Sequence, residues 1–217
     1  VFKPISSLNR LIILSPLLIP ICIILKLTGE GEIFYLQERV GKGGSHFKLI
    51  KFATMLKNSP NIGAGEITIK DDPRVLPFGK FLRKSKINEL PQLINILFAQ
   101  MSLVGPRPMV PNTYKKYPLS TQKKLNLIRP GLTGVGSIFF RDEESYLEGR
   151  DNPENFYEEE IIPYKCQLEE WYVENANMVV YLKCILLTAW TIVFPKIEIA
   201  NKILKGIPKK PSNLYRT

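Results

Sequence analysis

A cluster of bases precedes an amide and a carboxylate in the middle of the chain. Four Lys and Arg residues between positions 80 and 86 are followed directly by Asn88 and Glu89. Apolar residues recur at helical spacing from position 90 to 98, which predicts a buried helix that begins near Asn88. Asn is a favoured N-cap, and the positive end of a helix dipole attracts anions. The segment therefore predicts a phosphate-binding site.

The composition limits which other chemistry the chain can perform. It contains one histidine, His46, and three cysteines, Cys22, Cys166 and Cys184, with no close pair. A histidine-based metal site, a Ser/His triad, a zinc knuckle and a disulfide framework are therefore excluded. The remaining candidates are carboxylates, lysines, arginines and a hard cation such as Mg²⁺.

The distribution of charge indicates an anionic partner. The formal net charge is +10, yet residues 142–174 hold 12 of the 20 acidic side chains and only two of the 30 bases. The rest of the chain is therefore strongly basic. Nucleic acid, an anionic membrane surface and phosphate-bearing small molecules all suit such a charge. No aromatic-basic platform or known nucleic-acid module is visible, so nucleic acid is not expected as a partner.

The N-terminal part contains an apolar run, LIILSPLLIPICIIL at 11–25, whose polar member is Ser15. A spanning helix needs roughly 20 apolar residues, and this run is shorter. Pro16 and Pro20 each remove a backbone donor, which predicts a kink near Ser15 and Pro16. We expect a re-entrant helix that enters and leaves through the same leaflet. A simple spanning anchor and a buried core helix are the alternatives.

The remaining patterns predict an α/β fold that is mostly helical. Alternating stretches at 33–36 and 47–52 predict a small antiparallel hairpin, and the glycine-rich segment at 131–137 predicts a loop. The apolar segment 178–194 predicts a packed or interfacial helix. The expected organisation is a re-entrant membrane helix at 1–28, followed by a cytosolic catalytic-type domain at 29–217 with amphipathic helices lying on the membrane.

These segments, in this order, resemble the bacterial sugar transferase family, the monotopic phosphoglycosyl transferases. The resemblance covers residues from about 11 to 190. Besides the apolar run with Ser15 and Pro16, the matching motifs are QERVG at 37–41, KFATM at 51–55, DPRV at 72–75, FLRK at 81–84, ELPQL at 89–93, MSLVGPRP at 101–108 and RPGLTG at 129–134.

The resemblance implies a function and a location. Members transfer a phosphosugar from a nucleotide diphosphate sugar, usually a UDP-sugar, to polyprenyl phosphate with release of UMP, which initiates lipid-linked glycan assembly. It also implies a monotopic protein on the cytoplasmic face of the bacterial inner membrane, in contact with membrane lipids. A homo-oligomer is left open, as are the sugar, the polyprenol and the glycan.

The resemblance also implies roles for individual residues. Glu89 matches the family glutamate that helps to hold Mg²⁺, although by itself its position also suits a helix N-terminus. Lys51, Arg83 and Arg107 are the expected phosphate binders. Arg107 lies between two prolines that stiffen its backbone, and the planar fork of Arg suits bidentate phosphate contacts.

The family's nucleophilic aspartate corresponds here to Asn88. An amide has no anionic oxygen with which to attack phosphorus, so Asn88 cannot act as that nucleophile. Three explanations remain: direct attack by the polyprenyl phosphate, substitution by another carboxylate such as Glu89, or an inactive protein. In the last case the chain would be a scaffold that binds nucleotide sugar or polyprenyl phosphate.

Overall fold

The computed structural model describes residues 5–62, 71–150, 152–194 and 198–214. Over these residues the fold is mixed α/β and mostly helical, as predicted. The strands are β1 Phe34–Val40, β2 His46–Phe52, β3 Ser102–Val104 and β4 Gly131–Thr133. The helices are α1 Ile5–Leu27, α2 Pro77–Lys84, α3 Gln92–Leu97, α4 Pro111–Lys115, α5 Leu119–Leu125, α6 Val135–Phe139, α7 Glu144–Leu147, α8 Pro153–Phe156, α9 Ile162–Asn175, α10 Met178–Val193 and α11 Glu198–Ile203.

Packing groups the chain into two compact units. The first unit comprises Val1–Glu38 with Lys48–Gln100, and the second comprises Arg39–Phe47 with Met101–Thr217. The boundary predicted after residue 28 does not coincide with this division, and the separate membrane segment at 1–28 stays a prediction.

Helix α1 runs through both Pro16 and Pro20. Within the described part of the chain, no helix combines the length and the apolar character needed to cross a membrane. Ile21 and Leu25 of α1 are buried and pack with Phe52 and Leu82 in the core of the first unit. Ser15 is partly buried in the same helix. The re-entrant course and the kink at Ser15 and Pro16 stay predictions.

Strands β1 and β2 form the predicted hairpin. A connection as short as 41–45 allows only an antiparallel pair. The strands are longer than the sequence pattern indicated. The predicted connection began at residue 37, whereas β1 continues to Val40.

The segment after β2 packs against α2. Met55 forms an antiparallel bridge with Val75, and the Leu76 N–H donates to the Thr54 carbonyl at 3.0 Å. Gly79 of α2 lies so close to Thr54 that an added Cβ would overlap its carbonyl. A glycine at this position therefore lets α2 approach the chain that leaves β2.

A buried ion pair between Arg74 and Asp72 lies in the segment that precedes α2. The Arg74 Nε donates to Asp72 Oδ1 at 2.8 Å, and the guanidinium also donates to the carbonyls of Ser59 and Ile62 at 2.8 Å. The hydrogen bond to Asp72 raises the pKa of Arg74. The DPRV motif thus contributes a structural ion pair that also binds the carbonyls of Ser59 and Ile62.

The second unit contains a parallel pair, β3 and β4, with Ser102 opposite Gly131 and Val104 opposite Thr133. The prediction of a loop at 131–137 was wrong, because this segment forms β4 and then α6. Side chains at Gly131 or Gly134 would overlap the backbone of Gly105. The glycines therefore allow two backbones to pack closely, a cause that turn chemistry alone does not reveal.

The acidic stretch is largely part of the packing of the second unit. Lys116 forms an ion pair with Glu158, and Lys124 contacts Glu170 at 2.5 Å and Glu174 at 2.7 Å. These carboxylates belong to the helical segment from α8 to α9. They pair with Lys124 of α5 and with Lys116, the residue that follows α4.

Candidate functional site

Asn88 and Glu89 lie in a 3₁₀ turn at Ile87–Glu89. The prediction that a helix begins near Asn88 was wrong, because α3 begins at Gln92. Pro91 has no N–H to donate to the carbonyl of Ile87, four residues earlier. The Leu90 N–H bonds that carbonyl instead, at 3.1 Å, which tightens the turn.

Asn88 is 8% exposed, and its Oδ1 has no hydrogen-bond partner among the described residues. A buried acceptor without a partner costs roughly 1–3 kcal/mol. Such a cost is expected where a ligand, a water molecule or an ion completes the site. The amide oxygen of Asn88 is therefore available to a bound group, although it carries no negative charge.

One hydrophobic cluster positions the predicted residues of the first unit. Its members include Phe52, Leu82 and Ile87, which directly neighbour Lys51, Arg83 and Asn88 in the chain. The three polar residues are therefore anchored to the same core. Arg107 belongs to the second unit and is described there.

Lys51 and Arg83 lie on different secondary-structure elements. Lys51 lies near the end of β2 and is partly buried. Arg83 lies in the last turn of α2, where its Nη1 is 3.8 Å from the Met55 sulfur. Both side chains retain access to solvent, as an anion-binding role requires.

Asn95 links α3 to β2. It is 1% exposed, accepts from the Ile50 N–H at 3.0 Å and donates to the Lys48 carbonyl at 2.8 Å. Its side chain thus takes the place of a neighbouring strand at this edge of β2. The turn that carries Asn88 precedes α3, so this link helps to fix the turn relative to Lys51.

Replacing Asn95 with Leu should destabilise the protein by about 2–4 kcal/mol, because it leaves two backbone groups of β2 without partners. Urea unfolding of the purified protein measures this change. The control Asn61→Leu removes an exposed amide whose Nδ2 donates to Asn58 Oδ1, and should have little effect. Equal stability of the two variants would contradict the role of Asn95.

In the second unit, Arg107 lies in the loop that follows β3. The Gly105 N–H donates to the Thr133 carbonyl at 2.9 Å, and the Gly131 N–H donates to the Pro106 carbonyl at 2.8 Å. After the loop, the Arg39 Nη1 donates to the Pro108 carbonyl at 2.9 Å. The loop is therefore held on both sides of Arg107, as the flanking prolines predicted.

Sequence reasoning missed Glu169 of α9. It is 3% exposed, its Oε1 accepts from the Arg107 N–H at 3.2 Å, and its Oε2 has no hydrogen-bond partner among the described residues. Ile162, Cys166 and Val173 share its helical spacing and lie in a hydrophobic cluster. That spacing places Glu169 on the buried face of α9, and it is the sequence signal that could have distinguished Glu169 from the exposed acidic residues nearby.

A buried lysine lies on the same helix. Lys165 forms an ion pair with Glu143, and its Nζ is 3.2 Å from the Tyr157 hydroxyl. Burial lowers the pKa of Lys165, but the interactions with Glu143 and Tyr157 together outweigh it, so the pKa is raised overall. Lys165 therefore stays charged and contributes positive potential near Glu169.

Burial raises the pKa of Glu169 to about 7, against the lowering effects of the Arg107 N–H and of the charges on Lys165 and Arg107. The ordinary value is 4.5. Between these values the folded state holds a proton that the unfolded state has released. The contribution of Glu169 to the free energy of unfolding is therefore complete at a pH below the lower pKa and is lost at a pH above the upper pKa. The two limits differ by about 3 kcal/mol at most.

The variant Glu169→Gln should therefore remove this pH dependence of the free energy of unfolding. Between about pH 5 and about pH 8, the wild type should lose some 2–3 kcal/mol more stability than the variant, which has no proton to release. Urea unfolding at both pH values tests this expectation. Parallel pH profiles for the two proteins would show that Glu169 does not titrate in this range.

The residues that the structure describes contain no group of three or more His, Cys, Asp or Glu residues arranged to hold a metal. Mg²⁺ commonly takes one or two carboxylates together with substrate phosphates and water. Glu89 and the unpartnered oxygen of Asn88 fit that kind of donor set.

In the first unit, Lys51, Arg83 and Asn88 thus directly neighbour members of one hydrophobic core. In the second unit, a buried carboxylate accepts the backbone N–H of Arg107. A sequence profile of the bacterial sugar transferase family matches residues 1–195. The chain therefore belongs to the bacterial sugar transferase family, which confirms the resemblance seen in its motifs.

Individual relatives support this assignment. The exopolysaccharide production protein ExoY of Sinorhizobium fredii is 38% identical over 159 residues, covering 67% of this chain and 70% of the relative. The undecaprenyl-phosphate galactose phosphotransferase of Salmonella typhimurium is 31% identical over 189 residues, covering 80% of this chain and 36% of the relative. The UDP-N-acetylgalactosamine-undecaprenyl-phosphate N-acetylgalactosaminephosphotransferase of Aeromonas hydrophila is 38% identical over 128 residues, covering 57% of this chain and 30% of the relative.

Proposed function

We propose that the protein transfers a sugar 1-phosphate from a UDP-sugar to polyprenyl phosphate, releases UMP and so begins the assembly of a lipid-linked glycan. The observation that carries the proposal is the turn with Asn88 and Glu89 in a chain of the bacterial sugar transferase family. The names of two relatives specify phosphotransfer to undecaprenyl phosphate, and one of these names specifies a UDP-sugar.

Because Asn88 lacks an anionic oxygen, we propose direct transfer. An oxygen of the polyprenyl phosphate attacks the sugar-linked phosphorus of the donor, and a new phosphoanhydride bond forms. The bond from that phosphorus to the bridging oxygen breaks, and the bridging oxygen leaves with UMP. Phosphoryl transfer depends mainly on positioning and charge neutralisation, so it can proceed without a nucleophile from the protein.

The side chains divide this task. Lys51, Arg83 and Arg107 bind the phosphate oxygens and offset their charge. Asn88 offers its amide oxygen to the bound substrate or to the cation shell, and Glu89 holds Mg²⁺. When bound, Mg²⁺ supplies further positive charge to the phosphates.

We also propose that the protein is monotopic and lies on the cytoplasmic face of the inner membrane. One face of α10 exposes Met178, Leu182, Leu186 and Trp190, which follow one another at helical spacing. Helix α1 exposes Leu17, Ile19, Ile23, Ile24 and Leu27. Apolar helix faces that include Trp suit the interface between headgroups and acyl chains.

Cysteine labelling tests the re-entrant helix. Single cysteines placed before Ser15 and after Lys26 should react with a membrane-impermeant reagent from the cytoplasmic side alone. Labelling of the two positions from opposite sides would identify a spanning helix instead.

The activity is tested by measuring UMP release from a panel of UDP-sugars with polyprenyl phosphate and Mg²⁺. We expect release with at least one donor, and only when polyprenyl phosphate is present. The alternative is a scaffold that binds nucleotide sugar or polyprenyl phosphate without reaction, and Asn88 is the observation that favours it. Absence of UMP with every donor, together with activity of Asn88→Asp, would establish the scaffold.

A further inference from the structure

The segment from Pro106 to Pro108 has a single backbone donor. Proline carries no N–H, so the Arg107 N–H is the one hydrogen-bond donor of these three peptide units. It donates to Oε1 of Glu169 at 3.2 Å. The acceptor lies 62 positions along the chain, on α9.

The neighbours of Arg107 are held by other groups. The backbone of β4 binds Gly105 and Pro106, and the side chain of Arg39 binds the carbonyl of Pro108. These bonds fix the two ends of the loop. The backbone N–H of Arg107 is bound by Glu169.

The sequence makes room for this carboxylate. An added Cβ at Gly136 of α6 would overlap Oε1 of Glu169 and lie 3.0 Å from its Cδ. The Gly136 backbone has an ordinary negative φ. Glycine is therefore needed at this position for space, and not for its backbone conformation.

We propose that Glu169 is a positioning residue for Arg107. Its Oε1 accepts the Arg107 N–H and fixes the backbone from which the guanidinium reaches the phosphate of the donor. This inference rests on the proposed function, in which Arg107 binds phosphate. Gly136 serves the same purpose indirectly, because it leaves space for the carboxylate.

The electrostatic surroundings of Glu169 are consistent with this role. Burial is the largest effect and raises the pKa of Glu169 to about 7, while the Arg107 N–H and the positive charges of Lys165 and Arg107 act in the opposite direction. The neutral and the ionised carboxyl each have an oxygen that can accept the Arg107 N–H. The other titratable groups that interact with Glu169 are Tyr117, Cys166, Tyr172 and Cys184, and burial raises the pKa of each of them. These four groups are therefore neutral near pH 7, and the two bases supply the local charge.

Hydrogen exchange tests the contact without any substrate. The variant Glu169→Met removes the acceptor and Glu169→Gln retains an oxygen, while Glu170→Met removes the adjacent carboxylate that binds Lys124. Mass spectrometry of the full-length protein in detergent follows exchange of the Arg107 amide. Among these three variants, only Glu169→Met should accelerate this exchange, by about 10-fold or more. Gly136→Ala should also accelerate it, by displacing the carboxylate.

Binding of UDP with Mg²⁺, measured by calorimetry, links the contact to the site. The dissociation constant should rise about 10- to 100-fold in Glu169→Met and return to within a few-fold of the wild-type value in Glu169→Gln, as expected when a binding group is misplaced. Unchanged exchange in Glu169→Met would overturn the inference. So would equal UDP affinity in Glu169→Met and the wild type.

The two proposals fail in different ways. If the wild type releases UMP but Glu169→Met keeps its slow exchange, the positioning role is wrong and the proposed function stands. If the wild type neither binds UDP nor releases UMP while exchange responds as expected, Glu169 still holds the Arg107 loop and the proposed function is wrong.

Discussion

Replacing Glu89 with Gln is expected to lower the rate of UMP release by about 10³-fold or more, because a cation that neutralises phosphate contributes several kcal/mol to the transition state. Glutamine keeps the size and the polar oxygen of Glu89 but removes its negative charge. The loss should appear in kcat at saturating donor, and raising the Mg²⁺ concentration should recover part of it.

A carboxylate of the same unit provides the control. Glu32 is exposed, forms an ion pair with Lys57 at 2.8 Å and is not among the residues assigned to phosphate or cation binding. Glu32→Gln should keep the wild-type rate. A comparable loss in both variants, or none in Glu89→Gln, would contradict the assignment of Glu89 as the cation ligand.

Replacing Asn88 with Asp is expected to change the mechanism. The variant restores a carboxylate that can attack the sugar-linked phosphorus and form a covalent phosphosugar adduct. It should therefore release about one equivalent of UMP per protein when polyprenyl phosphate is left out, as expected of a covalent intermediate. The wild type should release none under the same conditions.

Rapid quench measurements of UMP, with intact-mass detection of the adduct, test this expectation. Asn88→Ala is the matched control, because it removes the amide without supplying a nucleophile and should give no burst. A burst or an adduct in the wild type would show that another group of the chain attacks the donor. Glu89 would then be the first position to examine, and direct transfer would be wrong.

Much of the fold was predictable because its signals are local. Alternation of apolar residues indicated the β1–β2 hairpin, and the continuous apolar segment indicated α10. The two prolines beside Arg107 indicated a stiff loop, and in the structure hydrogen bonds hold the residues on both sides of Arg107. Each of these patterns acts through residues close in sequence, so the sequence itself displays it.

The two errors have different causes, one local and one tertiary. Asn88 was expected to cap a helix, but the missing N–H of Pro91 places it in a 3₁₀ turn ahead of α3. The glycines of 131–136 were interpreted as a loop, but they allow close packing of Gly131 and Gly134 on Gly105 and of Gly136 on Glu169. The space that a glycine provides can be recognised only when its neighbour in the fold is known.

The sequence by itself determined the family, the mostly helical α/β class and the absence of a carboxylate at position 88. It could do so because motif order and residue chemistry are properties of the chain alone. The tertiary structure decided that Asn88 is buried and that its oxygen has no hydrogen-bond partner within the described part of the chain. It also decided that Asn95 ties α3 to β2 and that Glu169 holds the Arg107 amide. These contacts join residues far apart in the chain, and only folding brings such residues within hydrogen-bonding distance.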